Sequence, residues 1–191
     1  MKTGDKMKSK TLEYLCTVLM IVLTCFVSFQ CDLKTENWTV LLLRPEKYLL
    51  YLFGTLGSFL FCFLLYRFSV NVLHPLKKQC LLTALCMPLS LLFVFDPEFH
   101  PIQSSLHLLF SYLFFFCVNG CYIHSLFILS FSHKRKTDFL FQIYLIILAL
   151  CAGLYLRFMS INTLFELCFT VSMTLLLSFS IRTTEKKHIQ E

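Results

Sequence analysis

The chain has 191 residues, of which 57% are hydrophobic, 22 are Phe and only 15% are charged. A soluble domain of this length has too little interior to hide so much apolar surface; a single water-soluble core is excluded and lipid is the expected solvent. The net charge of +6 does not mark a nucleic-acid binder, because the basic residues sit at the ends of apolar segments, where they act as topology signals.

Taken in chain order, Lys2, Lys6, Lys8 and Lys10 precede a first apolar segment, 12–30. It is long for a signal-peptide core, and Phe26-Val27-Ser28-Phe29-Gln30 offers no small-x-small cleavage site, so the expectation is a retained signal anchor. A polar stretch follows with Asn37-Trp38-Thr39, an N-glycosylation sequon, and Trp38 and Tyr48 suit an interfacial position. The second segment, 48–66, runs into Arg67, Lys77 and Lys78. The third, 80–95, is short and holds Pro88; a re-entrant segment is the alternative. Asp96-Pro97-Glu98-Phe99-His100-Pro101 makes an acidic turn, with Pro setting the backbone twice. The fourth and fifth segments, 105–131 and 139–156, flank His133-Lys134-Arg135-Lys136, and the sixth, 163–181, ends at Arg182, Lys186 and Lys187.

Each segment is near the ~20 residues that cross a bilayer as a helix. With six spans, thirteen of the seventeen Lys and Arg fall on one side and Lys34, Arg44, Lys47 and Arg157 on the other. The positive-inside rule therefore predicts an all-α, polytopic transmembrane bundle over 1–191, a single domain with both termini cytosolic; cleavage of the first segment would leave five spans. Most of the ten Cys lie inside apolar stretches, where Cys behaves as a small hydrophobe. Cys117 and Cys121 form a C-x-x-x-C without further ligands, so neither a metal nor a cofactor is expected. Cys80, beside Lys77-Lys78, is a candidate for juxtamembrane palmitoylation.

Polar residues inside a bilayer are costly, so their placement directs the search for function. At 100° per residue, Ser104, His107, Ser111, Tyr122 and Ser125 of the fourth segment fall within a sector of about 60°, with Asn119 and Tyr112 at its edge and His124 pointing away. In the sixth segment Asn162, Thr163, Glu166 and Thr170 lie within about 100° of one another. Arg157 ends the fifth segment on the side with few basic residues, so an Arg157–Glu166 ion pair near the outer boundary is expected. Gln142, Ala149 and Gly153 share one face of the fifth segment, and Gly54, Gly57 and Ser58 recur in the second; both read as packing faces.

Three functions compete. The preferred one is a non-enzymatic multi-pass protein of the secretory pathway, a subunit, chaperone or organiser of other membrane proteins, with membrane lipids and another membrane protein as partners and no nucleic acid. Its compartment would be the endoplasmic reticulum or a later membrane, the plasma membrane included. The second is a small intramembrane enzyme acting on lipid, with His107 as acid or base and Ser111 as nucleophile. The third is a small-solute pore or carrier lined by the polar stripe. H-E-x-x-H, G-x-S-x-G, P-loop and Rossmann glycine patterns are all missing.

Overall fold

The computed structural model describes residues 3–38, 41, 44, 48–72, 77–93, 98–159 and 161–185. Among them are five helices and no strand: α1 (Thr3–Ser28), α2 (Tyr48–Asn71), α3 (Lys77–Leu92), α4 (Pro101–Phe158) and α5 (Thr163–Glu185). Three stretches are long and apolar enough to cross a membrane, Lys10–Ser28, Pro101–Phe158 and Thr163–Thr184, and α2 adds a shorter apolar stretch, Thr55–Asn71. That is the make-up of a helical membrane protein. The expected six segments thus meet three helices that satisfy this measure. At 16 residues α3 is about 24 Å long, short of a ~30 Å hydrocarbon core. It runs unbroken through position 88.

The expected fourth and fifth segments are joined differently from the loop foreseen between them. No Gly or Pro occurs from 121 to 152, so nothing in the chain forces a helix to stop there. Helix persists over 58 residues and breaks only at His133 (φ −147°, ψ 57°). A straight helix of that length would reach about 87 Å. Instead it folds back, because Tyr144 donates from its hydroxyl to Asn119 Oδ1 at 2.7 Å across a separation of 25 residues, which would be about 37 Å along one axis. α4 is therefore a hairpin of two antiparallel arms, 101–132 and 134–158. Ser130 and Ser132 donate to the carbonyls of Phe127 and Leu129 at 2.6 and 3.3 Å, the second an acceptor that the break would leave open. The second arm ends at Met159, whose left-handed backbone (φ 53°) lets its N–H reach Tyr155 O at 2.7 Å. Gly usually fills that place.

α2 lies at the centre, packed against each of the other four helices, while α1 packs on α2 and α5. The core joins Cys16 and Met20 of α1, Phe61, Leu64, Leu65 and Phe68 of α2, Val118 and Tyr122 of α4's first arm, Leu140 and Tyr144 of its second, and Met173 and Leu177 of α5. Gly57 admits the Met20 side chain, whose Sδ would lie 3.4 Å from an added Cβ. That is the close approach expected of the second segment's small residues. The face expected of the fifth segment is different: Gln142, Ala149 and Gly153 are exposed, and a Cβ on Gly153 would meet nothing within 4 Å.

The two ends of the bundle differ in charge. At one, Arg67 meets Glu13 at 3.0 Å, the Arg182 guanidinium lies over the Tyr14 ring, and Lys136 Nζ donates to Thr183 O at 3.4 Å. At the other, residues 29–38 fold over the start of α5. Between these ends α5 covers about 24 Å from Glu166 to Arg182, and α1 about 22 Å from Glu13 to Ser28.

Candidate functional site

The stripe on α4 faces protein at every level where its contacts are seen. Near the start of the first arm, His107 Nδ1 lies 2.9 Å from Ser90 O. A carbonyl only accepts, so Nδ1 carries the proton and Nε2 is left as an acceptor. Ser111 Oγ stands 3.4 Å from Nε2. His107 thereby satisfies a carbonyl in the last turn of α3, one that Phe93 N also reaches at 3.3 Å. Ser104, three residues earlier, is buried. Midway along the arm, Asn119 donates to Phe115 O at 2.6 Å and accepts from Tyr144. Nearer the hairpin bend, the hydroxyls of Tyr122 and Ser180 are 3.0 Å apart, and Ser125 Oγ donates to Cys121 O at 2.8 Å. The stripe thus joins its own arm in turn to α3, to α4's second arm and to α5.

The α5 stripe does something else. Four N–H groups open a helix without intrahelical partners, and those of Thr163, Leu164 and Phe165 find partners here before the first intrahelical bond, from Glu166 N, is made. Thr163 N donates to Glu36 O at 2.7 Å and Leu164 N to Leu33 O at 2.9 Å. Phe165 N donates to Asn162 Oδ1 at 3.0 Å, the N-cap geometry, and Glu166 N donates to Asn162 O at 3.0 Å. The side chains add to the clamp: Asn162 Nδ2 donates to Lys34 O, Thr163 Oγ1 to Glu36 O, and Trp38 N to Glu166 Oε2 at 3.0 Å. Trp38 is buried, and its indole N–H donates to Ser28 Oγ at 3.0 Å. Thr170, one turn deeper, is buried and offers its carbonyl to Thr174 Oγ1.

The expected Arg157–Glu166 pair does not form. Arg157 is exposed, Glu166 is taken by Trp38, and the ion pairs among the described residues are Glu36–Arg44 and Glu13–Arg67. The reason is that the 29–38 segment reaches α5 first, with a backbone donor that carries no charge to desolvate. Where α4 and α5 touch at that end, Phe115 lies against Phe169 with ring centroids 5.3 Å apart.

Electrostatics in the 29–38 cap follow from its geometry. Asp32 accepts from Lys34 N at 2.8 Å and Thr35 N at 3.2 Å, and these backbone bonds hold its carboxyl below the ordinary Asp value. Burial pushes the Cys31 thiol up to about 11, against 9.0 for a free one, and nearby Glu36 and Glu166 add to the rise. Asn37 is half-buried beside Trp38, and Thr39 of its sequon lies outside the described residues. Cys80, the acylation candidate, is buried, with Sγ 3.8 Å from Ser69 Oγ and in hydrogen-bonding contact with Cys121. No group of three or more His, Cys, Asp or Glu converges among the described residues.

Sequence reasoning missed three features. Glu13–Arg67 was signalled by a carboxylate and a guanidinium at the same end of apolar segments, but Arg67 was absorbed into a topology cluster. The 29–38 clamp had no local signal, since it bonds residues some 128 positions apart. His124 and Gln79 share a cavity with Gly120 and Cys121, which the sorting of His124 away from the stripe concealed. No family model, curated protein or solved structure matches this chain, so its function rests on the geometry.

Proposed function

We propose that the chain is a multi-pass protein of a secretory-pathway membrane, non-enzymatic, that holds another membrane protein through the outward face of α4's second arm. One observation carries this reading: the polar side chains that were candidates for chemistry, His107, Asn119, Tyr122, Asn162, Thr163 and Glu166, are engaged in bonds that bind helices or clamp a loop. In lipid such bonds are the interhelical glue. What remains outward on the second arm is Gln142, Ala149 and Gly153, unfilled where Gly57 is filled. Small residues at four-residue spacing admit a neighbouring helix closely, and exposed Arg157 on the same side would match an acidic residue on that helix. The six-span topology and cytosolic termini belong to this proposal, and the separation of Arg67, Lys136 and Arg182 from the Lys34, Arg44 and Arg157 end supports them. In mild detergent the protein co-purifies with a stoichiometric membrane partner, and Gly153→Leu releases it. A homogeneous, partner-free monomer from native membranes would sink the proposal.

The Ser111–His107–Ser90 carbonyl relay favours a second reading, an intramembrane enzyme acting on lipid, because a hydroxyl beside an oriented imidazole is the arrangement of an activated nucleophile. Ser111→Ala discriminates: loss of a lipid conversion with normal expression supports the enzyme, and an unchanged lipid profile refutes it.

A further inference from the structure

The helix packing leaves two polar side chains unused on an otherwise apolar wall. Phe116, Ile123, Phe127 and Phe131 are exposed on α4's first arm, and at 100° per residue Gly120 and His124 lie on the same face. His124 is exposed, as is Gln79 on the first turn of α3. Together with Gly120 and Cys121 they line a cavity of about 230 Å³. Gly120 makes the hollow, since a Cβ there would meet nothing within 4 Å. Neither the His124 nor the Gln79 side chain has a hydrogen-bond partner among the described residues. On a face turned to hydrocarbon, two unmatched hydrogen-bonding groups are unfavourable unless something polar occupies the space between them.

Depth selects the occupant. α3 runs antiparallel to the first arm, with Ser90 beside His107 and Cys80 beside Cys121. Gln79 and His124 therefore lie toward the hairpin bend, with His124 about 14 Å along the helix from His133. This is the basic end of the bundle. Lys78, exposed and one residue before Gln79, adds an ammonium at the same level. An imidazole, a carboxamide and an ammonium supply donors and positive charge, and among the described residues the cavity lining contains no carboxylate. Basic hollows between membrane helices on this side take anionic headgroups. We propose that this cavity holds the phosphate of an anionic phospholipid, whose acyl chains run away from the bend along Ile123 and Phe116.

Native mass spectrometry of the full-length protein in detergent tests this, with phosphatidic acid, phosphatidylcholine and inorganic phosphate as the added probes. The expected result is one phosphatidic acid retained at least tenfold more tightly than phosphatidylcholine. His124→Leu with Gln79→Leu, and separately Gly120→Leu, which fills the hollow, each lower that retention at least tenfold. Tyr112→Leu, exposed toward the other end of the same arm, leaves it unchanged. Equal retention of the two lipids by the unmodified protein overturns the proposal, and so does unaltered binding by both cavity variants. Displacement of the lipid by inorganic phosphate at equal concentration would assign the site to free phosphate instead. The lipid comparison on the unmodified protein decides the matter even where a variant folds poorly.

Discussion

Cys31 shows how one side chain reports on the clamp around it. The thiol is buried under the 29–38 segment, and burial raises it to about 11 from 9.0. An acid raised in the folded state keeps its proton there while the unfolded chain loses it, so the associated stability is complete below pH 9 and falls as pH climbs toward 11. In detergent the unfolding midpoint should therefore drop between pH 9 and 11, and Cys31→Ala should flatten that drop. At pH 8 an uncharged maleimide should modify Cys31 at least tenfold more slowly than a thiol introduced by Thr35→Cys, a position exposed on the same loop. Equal rates would mean that the loop is open. Asp32 contributes with the opposite sign: its depressed carboxyl adds stability above pH 3.8 that is lost as pH falls through the lower folded value.

Between elements, the connection most exposed to test is that of α1 to α2. Glu13 is 4% exposed and accepts from Arg67 Nε and the neighbouring amino nitrogen at 3.2 and 3.0 Å. Removing one partner leaves an uncompensated charge, whereas removing both leaves apolar contact. Arg67→Met should cost about 3 kcal/mol, the low end for a broken buried pair because part of the guanidinium remains solvated. Adding Glu13→Leu should restore most of that loss in denaturant titrations of the detergent-solubilised protein; a double variant worse than either single one would show that the pair has a different role. Elements were legible where periodicity spoke. The α4 stripe was readable from 100° spacing because polar groups in lipid must turn inward. Its partners were not, since a helical wheel gives a direction and not the neighbour met there: Ser90, Tyr144 and Ser180 stand on three different elements. The hairpin bend at His133 was misread as a loop because charge marks where a chain reverses, whereas only Gly or Pro would have marked where helix stops.

For the whole molecule, the sequence carried apolar mass and charge asymmetry, and the structure adds which ends meet. Lys34 and Arg44 lie at the end where Glu36 and Asn162 bond, while Arg67, Lys136 and Arg182 gather at the other. In sealed microsomes, whose outer face is cytosolic, the proposed orientation has a membrane-impermeant thiol reagent modify Arg135→Cys directly and Thr35→Cys only after permeabilisation. The reverse order would invert the topology. What no single-chain pattern could supply is the closure of residues 29–38 on α5, because both partners are ordinary polar residues until they are brought together.

That closure sets a clock on synthesis. Trp38 leaves the ribosome 128 residues before Glu166, its partner in the finished fold. At about 5–20 residues per second, the first loop waits roughly 6–25 s for the helix that will clamp it. During that interval Trp38 has no α5 to lie against, and afterwards it is buried. A change that delays the arrival of α5 therefore lengthens the time for which Trp38 stands open.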